Sequence, residues 1–248
     1  MKKIILALLF FTATTCFAST TPAKLISTSE QLIIVTTPTW DSAIGQLQRY
    51  TRSSTLHAWQ PVGKSVAVVI GKNGTAWGDD HKAIIEKEND DLAPIKHEGD
   101  GKTPVGIYRI GQTFGFAETN NTNNYFPLTD TSICVDDINS THYNQLIDSS
   151  KVSQVDWNSG EKMRTVPQYK MGAMVLYNMP PVKSAGSCIF LHIWKNSASG
   201  TAGCIAMEES NLAVVLDWLH EKQQPVIAVL PAQVYNNIKA KWKLPEIS

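Results

Sequence analysis

The hydrophobic positions of this chain fall into short runs of branched and aromatic residues rather than long periodic stretches. Residues 31–36, 65–70, 105–110, 173–177, 187–194 and 226–230 form such runs, and Gly, Pro and Asn flank them. That pattern predicts strands joined by turns. Asn-Gly within Gly71-Lys-Asn-Gly74 predicts a hairpin between two of them. Helical spacing is clear once: Leu212, Val215, Leu216 and Leu219 recur on one face, Glu208 and Glu209 precede the first turn, and Pro225 bars continuation. A shorter helix is predicted over 41–52 and another from Tyr143 to Ser149, within a polar region spanning 139–171. The stretch 119–124 is expected to be a loop. The result is a mainly β fold with a few helices and no repeat or composition shift marking a second domain.

The start of the chain changes this picture. Lys2 and Lys3 precede an apolar run from Ile4 to Phe11, which is too short to cross a hydrocarbon layer of about 30 Å. It predicts a signal peptide over residues 1–18, cleaved after Ala18. A lipoprotein reading through Cys16 is weaker, because Ala13-Thr-Thr precedes that cysteine in place of a leucine-led lipobox. The expected product is one domain over 19–248, with its core at about 30–232, exported to the periplasm or cell envelope. No later apolar run has membrane length, so no membrane insertion is expected after cleavage.

The chain carries 22 basic and 22 acidic residues. Losing Lys2 and Lys3 leaves 20 against 22, a net of about −2. No basic footprint for nucleic acid is present. With 43% hydrophobic residues, the chain is able to bury a substantial core.

Export places Cys134, Cys188 and Cys204 in an oxidising compartment, where thiols tend to pair. Three pairings exist. Only Cys134 with Cys188 leaves Cys204 free for chemistry, whereas pairing of Cys188 with Cys204 removes it.

A histidine and a cysteine stand at the two ends of the glycine-bearing loop from His192 to Cys204. A free thiol has a pKa of about 8.5 and is mostly protonated at neutral pH, so a nearby imidazole that accepts its proton makes it a useful nucleophile. On an extended strand Cys188, Phe190, His192 and Trp194 share one face, and Ile189, Leu191 and Ile193 the other. Zinc held by Cys134, Cys188, His192 and Cys204 is disfavoured. Cys188 and His192 lie about 13 Å apart on an extended run, too far for ligands within about 2.3 Å of one metal. Gly200 and Gly203 let backbone N–H groups approach a reacting carbonyl, or equally serve a turn before the helix.

The stretches Lys96-His-Glu-Gly-Asp-Gly-Lys-Thr-Pro-Val-Gly-Ile-Tyr108, Cys134-Val-Asp-Asp137, Ser187-Cys-Ile-Phe-Leu-His-Ile-Trp194 and Gly200-Thr-Ala-Gly-Cys-Ile-Ala-Met207 together resemble the L,D-transpeptidases of the YkuD type. These crosslink bacterial peptidoglycan through a catalytic cysteine. The resemblance covers about residues 30–232 and implies a YkuD-like β-sandwich or barrel with a helix after the nucleophile motif. It implies Cys204 as nucleophile, His192 as proton acceptor and donor, Gly203 as a backbone oxyanion donor and Thr201 as support of the motif. Cys134 with Cys188 is then the expected disulfide. The implied partner is a peptidoglycan stem peptide, and no cofactor or metal is implied.

The chain also departs from the commoner family pattern. Ala202 stands where that pattern has a second histidine, Ala206 where it has Arg or Asn, and only eight residues separate His192 from Thr201. Substrate anchoring therefore does not carry over, and Trp194 and Lys102 are the candidates to replace it. Transfer of the acyl group to an amine is the leading expectation. Hydrolysis of the same thioester, or a non-catalytic wall-binding β-domain, are the alternatives.

Overall fold

A computed structural model describes residues 21–78, 93–120 and 124–247. The predicted signal segment with Cys16, and part of the 119–124 loop, lie outside the described residues. Thirteen strands occur among them: β1 (Gln31–Thr37), β2 (Ile44–Thr51), β3 (Gln60–Val69), β4 (Thr75–Trp77), β5 (Thr103–Gly115), β6 (Tyr125–Pro127), β7 (Ser132–Cys134), β8 (Leu146–Asp148), β9 (Glu161–Lys162), β10 (Met171–Val175), β11 (Phe190–Ile193), β12 (Ile205–Met207) and β13 (Val226–Pro231). The α-helices are α1 (Pro22–Thr28), α2 (Glu209–Trp218) and α3 (Ala232–Trp242).

The main sheet runs β10-β11-β12-β3-β2-β1-β13-β5, and β10 pairs again with β5. Eight strands thereby close on themselves, which removes exposed edges. β4 and β6 are attached to β5, and a separate small sheet has the order β8-β7-β9. The mainly β expectation is met.

Side chains alternate between the two faces of each strand as the pleat requires. Ile33 and Val35 of β1 point into one core with Leu191, Ile205 and Val229, while Leu32 and Ile34 point the other way, under α1 and α3. A strand buried on both faces reads as an unbroken apolar run, which explains Leu32-Ile-Ile-Val35. The predicted C-terminal helix is α2, whose Leu212 and Val215 close the first core. A third cluster lies between the small sheet and the outer face of β11. It contains Phe114, Tyr169, Phe190, Cys134, Cys188 and Cys204.

Three local expectations are corrected. Residues 41–52 hold β2, not a helix. Leu47 faces the first core and Tyr50 the opposite one, so two buried residues on opposite faces of the strand fall three apart and imitate helical spacing. Gly45 belongs to that strand, where a Cβ would meet the Thr36 carbonyl oxygen at 2.6 Å. The stretch from Tyr143 to Ser149 is a turn followed by β8, because Asn144 adopts φ 62° and gives its side chain to the carbonyls of Tyr177 and Asn178. Residues 71–74 do turn, with the Gly74 amide donating to the Gly71 carbonyl at 2.8 Å, but no hairpin forms. β3 pairs with β2 and β12, and β4 runs parallel to β5.

Candidate active site

The residues before β12 are pinned by two threonine hydroxyls. Thr201 Oγ1 donates to the Cys204 carbonyl at 2.6 Å and accepts from the Gly203 amide at 3.1 Å. Thr103 Oγ1 donates to the Gly203 carbonyl at 2.8 Å and accepts from the Gly71 amide at 2.8 Å. The 71–74 turn holds the other side, since Lys72 N donates to Thr201 O and Thr201 N to Ile70 O, both at 2.8 Å. A side chain at Gly203 has no room, as its Cβ would meet Lys102 O at 2.9 Å. The Gly203 amide thus serves Thr201 in this arrangement, where the sequence placed it at an oxyanion. Thr103 lies within the Lys96-to-Tyr108 stretch, whose sequence carries no signal of this contact.

β11 and β12 run parallel, with Leu191 opposite Ile205 and His192 opposite Ala206. Cys204 therefore comes level with Phe190, and the Phe190 amide donates to Cys204 Sγ at 3.3 Å. Paired residues share a face, so the thiol and the imidazole project from the same side of adjacent strands. They are diagonal neighbours. The thiol itself donates to the Cys188 carbonyl at 3.3 Å, and no hydrogen bond joins it directly to His192.

His192 is 7% exposed, and its Nδ1 lies 2.7 Å from the Ile193 carbonyl oxygen. That oxygen only accepts, so Nδ1 carries the hydrogen and Nε2 is the acceptor of the neutral ring. Its register neighbours are Gly172 and Ala206, which leave space beside the ring. Tyr169 fills part of it, standing edge-on to His192 at 5.2 Å and to Phe190 at 5.5 Å. The Tyr169 hydroxyl donates to Glu161 Oε2.

Burial sets both proton affinities. It pushes the Cys204 thiol well above its ordinary range, and the Glu161 charge adds to that, while the Phe190 amide and the Lys96 charge oppose it. Burial also holds His192 down to about 4, against a smaller upward pull from the Ile193 carbonyl. The resting pair is a neutral thiol beside a neutral imidazole.

Cys134 and Cys188 form a disulfide, and Cys204 is the free cysteine among the described residues. Cys188 has φ 55°, so β11 begins only at Phe190 and the strand face expected to run through Cys188 is interrupted there. Trp194 lies just past β11, its amide on the Met207 carbonyl at 2.8 Å. Lys102 Nζ is taken up by the Asn73 carbonyl at 2.6 Å and by Asp41 at 3.9 Å. The Cys204 thiol bonds to Phe190 and Cys188, and neither Trp194 nor Lys102 hydrogen-bonds to it. Tyr169 and Glu161, which do border the site, sit in the stretch read as polar loop. A cavity of about 500 Å³ lined by Tyr50, Trp59 and Leu244 shares no residue with this site.

A family model described as the L,D-transpeptidase catalytic domain, YkuD, matches residues 46–227. No curated protein matches, and no solved structure does.

Proposed function

The chain belongs to the L,D-transpeptidase catalytic-domain family, and from that membership we propose that it is an exported cysteine acyltransferase forming a thioester at Cys204 with a peptidoglycan stem peptide. One observation carries this reading. The free cysteine lies on the same face as an imidazole whose Nε2 is the unprotonated nitrogen.

Because the thiol is held protonated and the imidazole neutral, the proton moves as the bond forms, not beforehand. Sγ leaves the Cys188 carbonyl and turns toward His192 Nε2, which takes the proton. Sγ then bonds to the carbonyl carbon between the L-configured centre of diaminopimelate and the terminal D-alanine. The carbonyl becomes an oxyanion, the C–N bond breaks, and the leaving amine takes the proton back from His192. The Cys204 amide is the candidate oxyanion donor, a role worth about 2.7–4 kcal/mol. Gly203 joins it only after releasing Thr201 Oγ1.

A native disulfide beside the nucleophile supports export to an oxidising compartment. An amine acceptor gives a crosslink or an exchanged terminal residue. Ala202 and Ala206, which offer no anchoring group, favour hydrolysis as a second reading. Mass spectrometry of disaccharide-tetrapeptides incubated with the purified protein separates these outcomes. Dimers or exchanged stems support transfer and shortened stems support hydrolysis, whereas unchanged stems contradict catalysis.

A further inference from the structure

Glu161 is brought to the nucleophile by the small sheet. It lies on β9 in register with Cys134 of β7, so the two side chains share a face. The Cys134–Cys188 disulfide carries that face to the residue whose carbonyl holds the Cys204 thiol. Tyr169 completes the connection, with its hydroxyl on Glu161 and its ring edge against His192.

The charges around this carboxylate do not balance. Asp136 and Glu98 both act on Glu161 as further negative groups, and Asp136 Oδ1 is buried with no hydrogen-bond partner. Glu98 is occupied by the hydroxyls of Tyr143 at 2.5 Å and Ser187 at 2.7 Å. The buried cation of this region, Lys96, is committed to Asp100 at 2.6 Å and to the His97 carbonyl at 2.8 Å. Among the described residues no cation pairs with Glu161. Burial first, and then the Asp136 and Glu98 charges, push the Glu161 carboxyl above its ordinary range, a cost to its charged form that an arriving cation relieves.

We propose that Glu161 is the subsite for the cationic amine of the acyl acceptor, which makes an amine rather than water the partner that resolves the thioester. This rests on the thioester reading above. The ammonium pairs with Glu161, and one of its protons passes to His192 Nε2. The freed nitrogen bonds to the thioester carbon as the C–S bond breaks. Its second proton goes to Cys204 Sγ, restoring the thiol, and His192 returns its proton to water.

The test compares wild type with Glu161→Gln, whose amide oxygen still accepts from Tyr169. Each is given a disaccharide-tetrapeptide donor and a D-amino acid or stem-peptide amine, and amide and hydrolysis products are counted by mass spectrometry. Losing a charge-assisted contact should lower the ratio of transfer to hydrolysis about tenfold or more. The loss should shrink as acceptor concentration rises, and should be smaller with hydroxylamine, which is uncharged at neutral pH. A ratio equal to that of wild type overturns the subsite while leaving the thioester intact, as does a wild type that only hydrolyses. No thioester in wild type overturns both readings. If the glutamine variant does not fold, Glu161→Asp decides: a raised acceptor KM supports the subsite and an unaltered one refutes it.

Discussion

Cys204 Sγ lies 3.3 Å from the carbonyl oxygen of Cys188, so the proposed nucleophile rests on the same residue that anchors the disulfide. The bridge spans 54 residues of sequence and joins the small sheet to the start of β11. It therefore holds the chain together and shapes the seat of the thiol.

Replacing both Cys134 and Cys188 with serine should lower stability by about 4 kcal/mol, the chain-entropy value for a loop of this size. At about 2–4 °C per kcal/mol, the melting temperature should fall by roughly 10 °C. Iodoacetamide should also label Cys204 faster, as the carbonyl that holds it loosens. Thermal melting with alkylation kinetics checks both, and an unchanged melting temperature would show that the bridge does not stabilise the fold.

The acylation rate should be nearly flat from pH 7 to pH 5. His192 is held down to about 4, so it remains a proton acceptor well below the ordinary histidine range. A pH profile of thioester formation should fall only as pH approaches about 4. A midpoint near 6.5 would mean that the imidazole is not buried as described. His192→Gln should slow acylation strongly across the accessible pH range, because burial holds the Cys204 thiol protonated and little thiolate forms unaided.

The same shift has a consequence for stability. Between about 6.5 and about 4 the folded His192 binds fewer protons than the unfolded one. Its contribution is thus present above 6.5 and lost as pH falls through about 4, on the order of 3 kcal/mol. Denaturant titrations of wild type and His192→Gln should show a shallower acid decline for the variant. Parallel declines would contradict the assignment.

Thr201→Val keeps the side-chain shape and removes the hydroxyl that bonds the Cys204 carbonyl and the Gly203 amide. Leaving both unpaired should cost about 1–3 kcal/mol and slow acylation, and Thr201→Ser should restore most of each. Melting temperature and acylation rate report the two effects separately.

What was legible in the sequence follows from where each interaction is local. The runs at 31–36 and 226–230 became adjacent strands because a doubly buried strand writes its burial directly into composition. The Cys134–Cys188 disulfide, and His192, Thr201 and Cys204 as candidates, were likewise suggested by motifs. Strand β2 was not, since Leu47 and Tyr50 are buried by different neighbours on opposite faces, which spacing along the chain does not distinguish from one face of a helix. Tyr169 and Glu161 were silent for a related reason. Each sits in polar sequence without periodicity and reaches the site only through the pairing of β7 with β9 and the ring packing on His192.

Whether Cys204 takes up an acyl group is read by intact-protein mass spectrometry after mixing with a disaccharide-tetrapeptide. The mass should rise by that of the donor less its terminal D-alanine, with the adduct located on Cys204 by peptide mapping and absent from Cys204→Ala. An unmodified wild type, or the same adduct on the alanine variant, would contradict it.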